Sequence, residues 1–410
     1  MERRKCTCIV LAQALIENIA NMLFGDFNEP TMRLVFEELA GVPSDMVRAT
    51  SWRLQTSACA ALMECGRVVT WGHADLGGDS SWVSGELASG VVKVVATKGA
   101  FAALKEGGRV VAWGGGGYDI RVAGELASGV VEVVATWHAF AVLKEGGRVV
   151  TWGGAGFGGD SSGVAEKITS GVVRVVATVH AFAALTEDGK VVTWGDTQDG
   201  GDSSAVAGEV ESGVVHVVAT EGAFAAITKG GRVVTWGYAE EGGDSSRVAE
   251  EVASGVVQVV ETQGAFAAVI SDGRVVTWGD PEYGGDSNDV AGELASGVVR
   301  VVATEFAFAA VTEGGRVVTW GNSMWGGDSS RVAGEVASGV VEVVATGGAF
   351  AAVTEGGRVV TWGYAECGGD SNGVAGELAS GVVEVVMASD KRFAARKDNG
   401  QIVSWGDFLP

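Results

Sequence analysis

Seven aspartates, Asp79, Asp160, Asp202, Asp244, Asp286, Asp328 and Asp370, stand in one recurring setting, with two glycines before and Ser-Ser or Ser-Asn after. Glycine and aspartate repeated together is a composition that calcium-binding repeats use. A calcium ion takes about six to eight oxygen ligands, however, and each of these loops offers one carboxylate and two small polar side chains. Capping of a helical turn accounts for aspartate and serine together, so no calcium is expected. Catalysis finds no footing either. His73, His138, His180 and His216 occupy different places in the repeat, and no serine or cysteine stands in a nucleophile setting. The glycine-rich stretches lack the Gly-Lys-Ser/Thr or Gly-x-Gly-x-x-Gly order of a phosphate loop. The chain reads as a non-enzyme without cofactor or metal.

The chemistry that remains is recognition. Scaffold positions barely change between copies, while two slots vary. One is the tetrapeptide after each Trp-Gly step, which brings Phe157, Tyr238, Tyr283, Trp325 and Tyr364. The other is the pair before each Ala-Phe step, which brings Trp137, His138 and Phe306. Equivalent slots of stacked units share one face, so these aromatics among acids are the candidate anchors of a partner surface. Exposed loops free to drift would vary in the same way.

The elements that must position these slots follow from the repeat. Tryptophans fall at Trp71, Trp113, Trp152, Trp194, Trp236, Trp278, Trp320, Trp362 and Trp405, at intervals of 42 or 43 residues with one of 39. A fixed period of this size means stacked supersecondary units sharing a core. In the copy from Gly339, Val340, Val341, Val343 and Val344 form a β-branched run, Ala349–Val353 a second strand, and Arg358–Trp362 a third. Gly356-Gly357 between the last two predicts a hairpin with a tight primed turn, as do Asp188-Gly189, Asp272-Gly273 and Asn399-Gly400 elsewhere. Asp328 to Gly339 reads as an N-cap, two helical turns with Val332 and Val336 on one face, and a glycine C-cap. The copy after Trp113 lacks three residues, so its linker must be tighter.

The sequence of 410 residues is 47% hydrophobic, ample for a large core, and its formal net charge is -22. That charge opposes nucleic acid and anionic membranes, because binding phosphate requires neutralising it. Cys6, Cys8, Cys59, Cys65 and Cys367 have no common place in the repeat, which argues against a disulfide framework and for a cytoplasmic or nuclear setting, an exported protein being the alternative. Residues 1–46 read as an N-terminal helical extension, with helices near 9–24 and 30–40 capping the first repeat, and residues 47–410 as one tandem-repeat domain. Nine strand triplets alternate with eight linkers.

The motif A-F-A-A-L-x-E-x-G-x-V-x-x-W-G, followed by a glycine-rich loop and a V-V-x-V-x-A-T strand, resembles the repeat of the regulator of chromosome condensation (RCC1-like) family. The resemblance spans nearly all of 47–405. It implies an all-β repeat protein, a β-propeller of eight or nine small blades with short helical linkers, used for partner binding. An open β-solenoid is the alternative. Some members of that family exchange guanine nucleotide on a small GTPase. This chain departs from it in having phenylalanine, as at Phe101, Phe224 and Phe350, where the family has histidine, and Gly-Gly-Asp-Ser in place of Gly-Gln-Leu-Gly. The expected function is therefore a protein-binding scaffold, with nucleotide exchange or an exported glycan-binding role as alternatives.

Overall fold

The computed structural model describes residues 45–50, 57–63, 65–117, 119 and 121–406. The expected N-terminal helices and Cys6 and Cys8 lie outside these residues. Among them the chain is an all-β repeat protein: nine three-stranded antiparallel sheets, each formed by consecutive strands, joined by linkers of short 3-10 turns. The sheets fall into two compact units. One holds the two sheets up to residue 118, including Phe101 and Trp113, with residues 126–128, and the other runs through 119–125 and 129–407.

One sheet serves for the rest. Strands Val340–Ala345, Ala349–Thr354 and Val359–Gly363 pair antiparallel, Ala345 opposite Phe350 and Phe350 opposite Trp362. The middle strand is buried on both faces, which explains its composition. Alanines let neighbouring sheets approach, and the single phenylalanine fills the wider space at the strand's start. Phe350 stacks on Trp362 with ring centroids 5.3 Å apart, and the same pair recurs from Phe140–Trp152 to Phe393–Trp405. The first strand carries a β-bulge between Val340 and Glu342, and the bulged Val341 is left 61% exposed.

Seven of these tryptophans, Trp113 and Trp194 to Trp405, also tie their sheets to the preceding linker. The indole N–H of Trp362 donates to the carbonyl of Gly326 at 3.1 Å, and that of Trp236 to Gly200 at 3.1 Å. Gly326 must be glycine twice over: its φ is +107°, and a Cβ there would strike the ring of Phe350 at 2.6 Å.

Two local expectations are corrected. The hairpin is not a two-residue primed turn. Gly357 N–H closes a β-turn onto Thr354 O at 2.8 Å, and Gly357 alone of the glycine pair takes the left-handed conformation, so the loop is one residue longer. The linker helix is also shorter than two α-turns. The N-cap is Ser329 and Asp328 stands one residue before it, its carboxylate accepting from Ser330 N–H at 2.8 Å, and the helical segment is a 3-10 turn over Ser330–Val332. The Val332–Val336 face survives as one i,i+4 hydrogen bond that drops Val336 into the core. Among the described residues only Ala207–Val210 reaches α-helical geometry. All seven aspartates thus act from the position before the N-cap, each accepting from the backbone N–H two residues on.

Candidate partner-binding edge

The two variable slots of every repeat meet at one edge of the second unit, and the scaffold residue that brings them together is a threonine. Thr220 ends the first strand's V-V-A-T run. Its hydroxyl bonds the carbonyl of Ala223 (3.3 Å), its oxygen accepts from Ala223 N–H (3.0 Å), and it lies 3.0 Å from the carbonyl of Glu241, last residue of the variable tetrapeptide. Thr136 does this for Phe157, Thr178 for Asp199, Thr262 for Tyr283, Thr304 for Trp325 and Thr346 for Cys367. These threonines are buried. Each clamps one slot onto the other, so the backbone there is fixed while the side chains vary.

The residue that follows the threonine builds a ladder between repeats. Trp137 N–H donates to Val179 O at 2.9 Å, Val179 to Glu221 at 2.7 Å, Glu221 to Gln263 at 2.7 Å, Gln263 to Glu305 at 2.9 Å, Glu305 to Gly347 at 2.9 Å and Gly347 to Asp390 at 2.9 Å. Each rung is thus one backbone hydrogen bond between consecutive sheets, and all rungs point the same way. Side chains at these rungs form a column, and Gln263 Nε2 donates to the carboxylate of Glu305 at 3.2 Å across one rung.

Beside that column the slots interleave. His138 meets Phe157 edge-on with centroids 4.6 Å apart, and Phe157 meets His180 at 4.8 Å; Trp137 also meets His180, at 5.0 Å. His180 Nδ1 then makes a close hydrogen-bonded contact with the Asp199 carboxylate. Further along, Tyr283 stacks on Phe306 (5.1 Å), Phe306 on Trp325 (4.6 Å) and Trp325 on Tyr364 (5.0 Å). Between the two aromatic runs lie Gly222 and Gly264. A Cβ on Gly222 would meet Glu241 Oε2 at 2.7 Å, and one on Gly264 the Tyr283 ring at 2.9 Å. Where one slot loses its side chain, its neighbour's side chain fills the space.

All eight aromatic or imidazole candidates lie in these slots, and seven join the row of ring contacts. Tyr238 stands apart, 41% exposed, its hydroxyl donating a 3.2 Å hydrogen bond to the Glu240 carboxylate. The middle of the edge is acidic. Burial, then the charges of Glu221 and Asp199, push Glu241 up to about 7. Burial, then Asp390 and Glu221, raise Glu305 to about 7 as well. Cys367 sits buried at the far end, its thiol pushed up to about 11 chiefly by burial, which leaves it unreactive.

Sequence reasoning singled out the variable slots and missed the threonine clamp and the acidic column. The threonine had a signal, its recurrence at Thr97, Thr136, Thr178, Thr220, Thr262, Thr304 and Thr346. A threonine at the end of a valine run nevertheless reads as more strand. The repeat glutamates Glu293 and Glu335 pair with Arg316 and Arg358, which stand just before the third strand of the next sheet. Such half-exposed pairs contribute at most about 1 kcal/mol. Among the described residues no group of three or more His, Cys, Asp or Glu is set to hold a metal ion, and no helix is long and apolar enough to cross a membrane.

No family model matches the chain, and no curated protein does. Among solved structures it is similar to yeast RCC1 (Prp20) in complex with Kap60, 16% identical over 69% of this chain and 79% of that one, with a TM-score of 0.38. Human WBSCR16 gives 14% identity, 69% and 78% coverage and a TM-score of 0.37. The CRINKLY WD40 ectodomain of the Arabidopsis thaliana receptor kinase ACR4 gives 16%, 67%, 94% and 0.33. At these scores the likeness assigns neither partner nor activity, and the fold assignment rests on the chain's own nine sheets.

Proposed function

We propose that the protein is a non-catalytic scaffold that binds another protein along the interleaved edge. The observation that carries this reading is the continuity of the row: two slots some 19 residues apart in sequence, as Phe306 and Trp325 are, meet in repeat after repeat on a backbone held by hydrogen bonds. Variable side chains on a fixed frame are what a recognition surface requires. Rings of Tyr and Trp supply contact area at low entropic cost, and hot spots concentrate in them.

The test is capture of a protein from cell extract by the purified full chain, followed by direct binding of the purified pair. Tyr283→Ala, Trp325→Ala and Tyr364→Ala should each weaken that binding by about tenfold or more, the range of interface anchors, with the circular dichroism spectrum unchanged. Unchanged affinity in all three variants would remove the edge from the reading. Loss of folding instead would place these rings in the core.

A further inference from the structure

We propose that residues 9–24 seat as an amphipathic helix on the first sheet, on the face that looks away from the second, and so close the start of the repeat array. The packing of the sheets shows why that face needs a cover. In an inner sheet such as the one from Val340 to Gly363, Phe350, Ala352, Val360 and Trp362 pack backward onto Ala307, Ala309 and Val311 of the sheet before. In the first sheet Ala58, Ala60, Leu62 and Val68 pack forward onto Phe101 and Trp113. Cys59, opposite Trp71, and Ala61, opposite Val69, therefore occupy the backward places of Phe350 and Ala352. No sheet precedes them among the described residues, yet Cys59 is only 4% exposed and Ala61 0%. The face is covered.

The covering element is unlike a repeat. Inner sheets meet the preceding linker with a stacked Phe-Trp pair, as Phe350 does at Gly326, whereas Cys59 stands in the phenylalanine's place and leaves room for a different shape. The last sheet is finished in another way. There Arg392 and Arg396 replace the forward-facing Ala349 and Val353, Arg396 pairs with Glu384, and Ile402 is 62% exposed where Val359 is buried. Charge thus closes that end, as a terminal repeat requires, while the backward face of the first sheet is apolar. The segment that runs into the first strand at Asp45 has the composition to cover it. Leu11, Leu15, Ile19, Met22 and Leu23 recur at helical spacing, with Gln13, Glu17 and Asn21 opposite them. These 16 residues make about 24 Å of helix, close to the roughly 20 Å of a six-residue strand such as Ser57–Leu62. Residues 25–44 leave chain enough for the return.

The experiment uses the full chain and its own thiols. Brief alkylation with N-ethylmaleimide, read peptide by peptide by mass spectrometry, compares Cys59 with exposed Cys65 and with Cys367, which is buried in the last linker. In the wild type Cys59 should react about tenfold or more slowly than Cys65, because access limits the rate. The Leu15→Asp/Ile19→Asp variant should bring Cys59 up to the rate of Cys65 and leave Cys367 slow, which separates loss of the cover from unfolding. A Cys59 as slow in the variant as in the wild type overturns the inference. Wild-type protection that fades on dilution overturns it too, because a second copy would then be the cover. Hydrogen exchange of the wild-type chain needs no variant. Backbone amides of residues 9–24 should exchange about tenfold or more slowly than those of the isolated peptide, and equal rates overturn the inference whatever the variant does.

Discussion

At the scale of single residues, the threonine clamp separates what must stay from what can vary. Thr220 holds Ala223 and the Glu241 carbonyl from a buried position. Thr220→Val keeps the shape but strands a backbone N–H and a carbonyl, so it should destabilise the protein by about 1–3 kcal/mol. Urea unfolding monitored by tryptophan fluorescence checks this, and a midpoint equal to wild type would contradict it. The same variant should loosen the Tyr238–Glu241 tetrapeptide, because the hydroxyl is what fixes its last residue. The contrast between Tyr283 and Trp278 is instructive at this scale. Both are aromatic and both stand in slots that recur at the repeat period, yet Trp278 is buried with its indole N–H on Gly242, while Tyr283 lies in the half-exposed row. Constancy between copies separated them in the sequence: tryptophan recurs at every copy, whereas the tyrosine slot elsewhere holds Phe157, Asp199 or Trp325.

At the scale of elements, the strands were legible and the loops only partly so. Valine runs and the Ala-Phe-Ala-Ala stretch predict three strands, and three strands form, because burial on both faces of the middle strand demands that composition. The linker helix was overread: Asp-Ser and the Val332–Val336 spacing suit an α-turn, but the chain bends back to the core after a single 3-10 turn. The meeting of the two variable slots was not legible, since it depends on contacts between residues 19 apart that no periodicity encodes, as Phe306 and Trp325 show. The linker glycines give a sharp test. Gly242 has φ +98° and a Cβ there would meet Phe266 at 2.5 Å, whereas a Cβ on Gly208 meets nothing within 4 Å. Gly242→Ala should lower stability by about 1–3 kcal/mol, and Gly208→Ala should leave it unchanged or slightly higher. Equal melting temperatures for the two variants would refute the close-approach account.

At the scale of the whole molecule, the balance of acids sets an unusual pH dependence. Burial is the first cause that lifts Glu241, Glu261 and Glu305 from 4.5 to about 7. The folded chain then binds more protons than the unfolded chain between about pH 4.5 and 7, so stability rises as pH is lowered through that window. The capping aspartates act oppositely. Backbone and hydroxyl hydrogen bonds from the serine two residues on hold Asp79, Asp202 and Asp328 below 3.8, so stability that they contribute is lost as pH falls through their folded values. Thermal melts should therefore be highest near pH 5, lower at pH 8 and lower again below pH 4. A melting temperature that climbs steadily from pH 5 to 8 would sink this expectation.

The ladder, the indole tie and the threonine clamp all join equivalent places in neighbouring repeats or within one. Deleting or duplicating a whole period of 42 residues leaves every such tie with a partner of the right type, whereas a change of half a period breaks several at once. Length is then heritable in discrete steps, and a copying slip between near-identical gene segments becomes a way of lengthening or shortening what the edge reads. Each step shifts the reading frame by one notch, and the tetrapeptide it adds is free to acquire its own preference without disturbing the frame on either side.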